Sequence, residues 1–177
     1  MANAELERGV SYLFVEKVPE KSYRVFSQHI TSGYAGLCMT RTNPRFIREK
    51  WGLAFPVVWL AKNEYTDQQV IAPDRLLKIS MVIGEFLKAG NRDRRIILLD
   101  GVEYLISQND FNGIMKFLQL VNEYITINNA ILILPVYLKS LDSRQIGLLE
   151  KEFKVFEEEL IVSQMLDSGG SDTVNRK

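Results

Sequence analysis

The stretch "RRIILLDGVEYLI" (residues 94–106) decides the fold. Ile96, Ile97, Leu98 and Leu99 form an unbroken apolar run that ends in Asp100, and Gly101 then opens a new amphipathic segment. A short apolar run closed by turn residues is what a strand covered on both faces of a parallel sheet requires, since neither face can carry polar side chains. The aspartate at its carboxyl end has two readings. It is placed like the magnesium-linked carboxylate of a nucleotide hydrolase, and equally like a turn residue that accepts backbone amides beside the glycine.

Four further apolar runs share this character: "VSYLFV" (10–15), "AGLCMT" (35–40), "FPVVWLA" (55–61) and "AILILPV" (130–136). Amphipathic segments alternate with them, the pattern of strands joined by crossover helices. In "PDRLLKISMVIGEFLKAG" (73–90), Leu76, Leu77, Ile79, Met81, Val82, Ile83, Phe86 and Leu87 form a broad helical stripe, with Pro73 in the first turn and Gly90 as cap. In "NDFNGIMKFLQLVNEYITINN" (109–129), Phe111, Ile114, Phe117, Leu118, Val121, Tyr124 and Ile125 recur at three and four, and Asn128-Asn129 stops the helix. "TNPRFIREKWG" (42–52) reads as a short helix entered at Pro44 and ended by Gly52. "SLDSRQIGLLEKEF" (140–153) supplies a last helix capped by Asp142 or Ser143, and "KVFEEELIV" (154–162) adds a candidate edge strand. The end, "SGGSDTVNRK" (168–177), has nothing to bury and reads as a disordered tail.

At 177 residues, 46% of them apolar, the chain can fill one core and is short for two. Its 22 basic and 22 acidic side chains cancel, which argues against a general nucleic-acid or membrane-surface protein. The lone cysteine, Cys38, sits in an apolar run and allows no intramolecular disulfide, as suits a reducing cytoplasm. "MANAELERGV" lacks the order of a signal peptide, and "AILILPV" is too short to span a bilayer. A cytoplasmic location, with no membrane partner, is the expectation.

A nucleotide hydrolase of this architecture needs a glycine-rich loop after its first strand, whose amides cradle phosphate. No G-x-x-x-x-G-K-[ST] occurs in the chain; the loop there reads "VEKVPEKS" (15–22). Lys21 and Ser22 fall on the Lys-Ser positions, whereas Val15 and Glu20 replace both glycines. A β-branched valine resists positive backbone dihedrals, Glu20 brings negative charge toward the phosphates, and Pro19 removes an amide donor. The loop is expected to bind phosphate poorly, with Lys21 and Ser22 simply starting a helix, and no cofactor or metal is expected. With that loop defective, the structural role for Asp100 is the favoured one.

The other candidate is "TRTNP" (40–44), at the carboxyl end of the second strand, where open α/β sheets bind ligands. Asn43 would cap the helix begun at Pro44. Arg41 either takes a phosphate or carboxylate bidentately, or pairs with Asp100 or Glu103 to tie two loops together; the pairing is slightly favoured. His29 is the sole histidine and has no cluster around it, which excludes a zinc site or histidine triad on sequence grounds. Glu64 reads as a solvated loop residue rather than a general base, and "FEEEL" (156–160) as a solvated edge.

Together "YLF", "GYAGLCMTRTNP", "VVWLAKNE", "IILLDGVEYLISQNDF" and "AILILPVYLKSLD" resemble the mainly archaeal family 835 of domains of unknown function, over about residues 10–153. The layout is in turn similar to RecA and KaiC-like hydrolases, with "IILLD" in the Walker B position and "VEKVPEKS" in the Walker A position. The resemblance implies a regulatory or scaffolding role rather than an enzyme, with another protein of a signalling or motility system as partner. The combined expectation is a three-layer α/β domain over residues 1–167, with a mostly parallel sheet of five or six strands, helices on both faces and a RecA-like degenerate P-loop. A homo-oligomer is left open. Nucleic acid is disfavoured, its only support being "RTNPRFIREK" and "NRDRR". The alternative is a residual nucleotide-binding protein or weak hydrolase using Lys21, Ser22 and Asp100.

Overall fold

A computed structural model describes residues 5–52, 54–65, 67–90 and 93–157. The tail expected over 168–177 and most of the segment 154–162 lie outside the described residues. Among the described residues seven strands form one sheet: β1 (Val10–Val15), β2 (Ala35–Thr40), β3 (Val57–Leu60), β4 (Gln69–Ile71), β5 (Arg95–Asp100), β6 (Ile131–Val136) and β7 (Lys154–Val155). Their order is β4-β3-β2-β5-β6-β1-β7, and every pairing is parallel. The expectation of five or six strands is therefore corrected to seven. The strand that was missed, β4, is three residues long and buries only Ile71, so it leaves no apolar run to read.

Six helices connect the strands: α1 (Glu20–Thr31), α2 (Pro44–Trp51), α3 (Leu76–Lys88), α4 (Val102–Gln108), α5 (Phe111–Ile127) and α6 (Ser143–Glu152). They cover both faces of the sheet, as the alternation of side chains demands. Tyr12, Phe14, Cys38, Ile96, Leu98, Ile131 and Ile133 point to one face, where Tyr23, Val25 and Phe26 of α1 and Ile47 of α2 bury them. Leu37, Met39, Ile97, Leu99, Leu132 and Leu134 point to the other, against α3, α4, α5 and α6. None of these helices is long and apolar enough to cross a membrane.

Local chemistry sets the helix ends. The Asn43 side chain accepts from the Arg45 amide, Pro44 occupies the first turn, and Gly52 closes α2 at φ +60°. Asp142 caps α6 through a reciprocal capping box with Gln145. The expectations for α3 need two corrections. Pro73 lies before the helix, in a turn closed by the Arg75 amide on the Ala72 carbonyl, and the cap position falls on Ala89 with Gly90 beyond it. Leu77 and Met81 are 74% and 55% exposed, so the buried stripe is narrower than the apolar one.

One topological feature positions the site. From β2 the chain leaves through α2 toward β3 on one face, whereas from the adjacent β5 it leaves through α4 and α5 toward β6 on the other. Neighbouring strands whose connections diverge open a crevice beyond their carboxyl ends. Thr40 and Asp100, paired in register, lie at that point.

Helix α1 crosses close above β2 at Gly36, where a Cβ would stand 2.9 Å from Phe26 Cζ and closer still to Ile30. Gly36→Val should therefore destabilise the fold by about 1–3 kcal/mol through overpacking. Urea denaturation checks this, the midpoint falling with an unchanged slope.

Candidate functional site at the carboxyl edge of the sheet

Asp100 is the centre of this edge. Its Oδ2 accepts the Tyr23 hydroxyl at 2.9 Å and the Thr40 hydroxyl at 2.9 Å. Thr40 Oγ1 in turn accepts the Thr42 amide at 3.0 Å. Cys38 Sγ lies 3.7 Å from the Tyr23 oxygen, and because the phenolic hydrogen is directed to Asp100, the thiol is the donor in that contact. Burial pushes both the Tyr23 hydroxyl and the Cys38 thiol well above their ordinary ranges, so each keeps its proton and remains a donor. Burial also raises Asp100 above its ordinary value; the two hydroxyls oppose that rise, and the charges of Glu103 and Glu16 add to it. The role expected for Asp100, accepting amides beside Gly101, is corrected: it accepts side-chain hydroxyls from α1 and β2, and α4 starts at Gly101 (φ +132°) with no side-chain cap.

The start of α1 is satisfied from within the chain. Glu16 places one carboxylate oxygen 2.9 Å from the Lys21 amide and the other 3.0 Å from the Ser22 amide. These first-turn donors, with the helix dipole behind them, are the groups with which a phosphate-binding loop holds its anion. Glu20, expected to carry the intruding charge, instead begins α1 and pairs at the surface with Lys50 at 2.5 Å. No residue from 15 to 22 has a positive φ, so the glycine-dependent backbone of a phosphate cradle is absent there. Ser22 Oγ is buried without a hydrogen-bond partner, and the Lys21 ammonium lies 5.2 Å from the ring centroid of Phe156.

Arg41 departs from expectation. Its guanidinium does not pair with Asp100 or Glu103; it is exposed and lies 3.6 Å from the ring centroid of Tyr104 on α4. Glu103 is engaged elsewhere, accepting the Tyr137 amide just beyond β6. The backbone of Arg41 is held by two neighbours: its amide donates to the Asp100 carbonyl at 3.1 Å, and its carbonyl accepts the Trp59 indole N–H at 3.0 Å. Trp59 stacks on Tyr65 with centroids 4.7 Å apart. The sheet thus brings Arg41, Asp100 and Glu103 to one edge without joining them in an ion pair, and Asn43 serves as the α2 cap.

The remaining candidates are structural or solvated. His29 is buried, with Nδ1 2.8 Å from the Val25 carbonyl. Glu64 is exposed in the loop after β3. Among the described residues no cluster of three or more His, Cys, Asp or Glu side chains is placed to hold a metal. Reading the sequence missed Glu16, Tyr23, Thr40 and Tyr104. Glu16 and Thr40 lay within the quoted loops and could have been weighed; Tyr23 and Tyr104 act through partners 77 and 63 positions away in the chain, which no local pattern reports.

An all-parallel, seven-stranded α/β domain with this edge is a fold shared by many unrelated functions. The chain belongs to the family described as protein of unknown function DUF835, whose profile matches residues 15–153. No curated protein matches it. Among solved structures it is similar to a protein of Pyrococcus horikoshii OT3 determined in a structural study, at 12% identity, over 84% of this chain and 80% of that one, with a TM-score of 0.56. At that identity the likeness concerns the fold alone.

Two substitutions test the geometry. Because Asp100 holds its proton more tightly folded than unfolded, the native state loses stability as pH rises from the ordinary value of 3.8 through the raised one, then levels off. Asp100→Asn keeps an acceptor for both hydroxyls and lacks that loss. The stability of the wild type relative to Asp100→Asn should therefore fall between pH about 4 and neutrality; denaturant titrations of both proteins showing the opposite trend would discard the raised pKa. Arg41→Met should cost less than about 1 kcal/mol, because only an exposed cation–π contact is lost and no buried acid is orphaned. A loss of several kcal/mol on thermal unfolding would mean a buried pair instead.

Proposed function

We propose that this domain is a non-catalytic regulatory or scaffolding module that binds another protein, built on a RecA-like core whose nucleotide site has been lost. The observation that carries this reading is Glu16, whose carboxylate occupies the α1 amides that a nucleotide phosphate would need. A phosphate entering there would have to displace a tethered anion and then sit beside its charge, which costs free energy twice. Asp100, the other expected contributor, spends one oxygen on two hydroxyls and resists ionisation, so it makes a weak magnesium ligand. Among the described residues the hydrogen-bonded edge offers no other cluster of groups suited to acid–base or nucleophilic chemistry. We place the partner in a signalling or motility assembly because of the family likeness.

Calorimetric titration with MgATP and MgGTP at millimolar nucleotide should give no saturable heat. Binding at micromolar concentration or tighter, abolished by Lys21→Ala, would overturn the reading. It would establish instead a residual nucleotide site formed by Lys21, Ser22 and Asp100.

A further inference from the structure

We infer that the crevice at the β2–β5 boundary is a docking site for a carboxylate that a partner protein carries next to an aromatic side chain, with Arg41 receiving the carboxylate. The inference rests on the protein-binding reading above and names the chemistry of the contact.

Position is the first support. The crevice lies where the connections of adjacent strands diverge, beyond Thr40 and Asp100, and Arg41 is the first residue past β2. The second support is the state of Arg41 itself. Its backbone is fixed at both ends, by the Asp100 carbonyl and by the Trp59 indole, so the side chain projects from a rigid point. The guanidinium carbon lies 3.6 Å from the Tyr104 ring centroid, yet among the described residues no acidic side chain pairs with it. Stacking leaves the in-plane N–H donors of an arginine free, and those donors match a carboxylate bidentately. Much of the entropy of ordering a long side chain has been lost before any ligand arrives, which favours binding.

The third support is the company Arg41 keeps. The Trp59–Tyr65 stack is joined to it through the Trp59 indole hydrogen bond, and Tyr65 is 43% exposed. Aromatic surface beside an arginine is the composition of binding hot spots between proteins.

A polyanion is the poorer fit. Glu64 and Asp67 are exposed on the loop between β3 and β4, and Glu103 lies in the first turn of α4, just past the end of β5. A nucleic-acid backbone would bring a row of phosphates against these carboxylates, whereas one carboxylate set beside an apolar group meets Arg41 alone. Internal acids do not fill the role, because the oxygens of Asp100 and Glu103 that are bonded turn inward, to Tyr23, Thr40 and the Tyr137 amide.

The test uses the two tryptophans as reporters. Trp59 touches Arg41, whereas Trp51 stacks on Tyr23 under α2 and serves as the internal control. An acetylated, amidated peptide bearing a central Glu-Phe pair is titrated into the isotope-labelled chain, and the indole N–H resonances are followed. The Trp59 resonance should shift saturably while that of Trp51 stays in place. The affinity should fall by about tenfold or more when the peptide carries Gln-Phe, and likewise with the Arg41→Met protein. No saturable Trp59 shift, or equal binding by Arg41→Met that has kept its melting temperature, would overturn the assignment. So would an oligothymidylate or inorganic phosphate that shifts Trp59 through Arg41 more tightly than the peptide, since the ligand would then be a phosphate. MgATP added to the same sample separates the two levels of inference. Shifts confined to the Lys21 and Ser22 amides would defeat the protein-binding reading, whereas an inert Trp59 with inert Lys21 and Ser22 would defeat only the docking site.

Discussion

One carboxylate oxygen organises the functional edge of this protein. Asp100 Oδ2 accepts hydroxyls from Tyr23 and Thr40, which belong to α1 and β2, and the aspartate itself ends β5. Burial of an acid is unfavourable unless its acceptors are filled, and here two neutral donors fill them without supplying a counter-charge. The compromise is visible in the raised pKa, since the hydroxyls offset only part of the desolvation. Tyr23 extends the network by stacking on Trp51 at the end of α2, with centroids 5.6 Å apart. Helix α1 and the carboxyl ends of β2 and β5 are thereby fastened to one atom.

The start of α1 answers a related demand by a different route. A helix N-terminus near a sheet edge presents unpaired amides and a positive end of the dipole, and something anionic must meet them. Here Glu16 supplies that anion from four residues before α1, accepting the Lys21 and Ser22 amides. An internal cap of this kind satisfies the helix start without any ligand. The sheet itself is indifferent to how that start is capped, because its stability rests on the two apolar layers and not on the loop.

What could be read from the sequence follows from how local each signal is. The β5 run, the Asn43 and Asp142 caps and the Gly52 stop depend on residues within one turn of one another, and the structure agrees with each. Leu77 and Met81 have helical spacing, but spacing says only that residues share a face and not which neighbour covers it, so their exposure was hidden. Arg41 illustrates a different failure. A carboxylate partner is demanded only of a buried arginine; Arg41 is exposed, and there an aromatic face suffices. Glu16 was within view, yet a glutamate in a loop has no pattern that distinguishes capping of amides five and six residues ahead from a solvated side chain.

The two ends of this edge have thus been resolved in opposite senses. At α1 the Lys21 and Ser22 amides, which could greet an anion, have an intramolecular acceptor in Glu16. At β2 the Arg41 backbone is fixed and its guanidinium lies on Tyr104, among the described residues without an acidic partner, and Asp100 and Glu103 are held by a tyrosine hydroxyl, a threonine hydroxyl and a backbone amide. Stability alone does not require that asymmetry, because an arginine stacked at the surface contributes little to folding. What the stack does is order a long side chain beside an aromatic face while leaving its N–H donors open to an acceptor, a use of conformational entropy that folding stability does not call for.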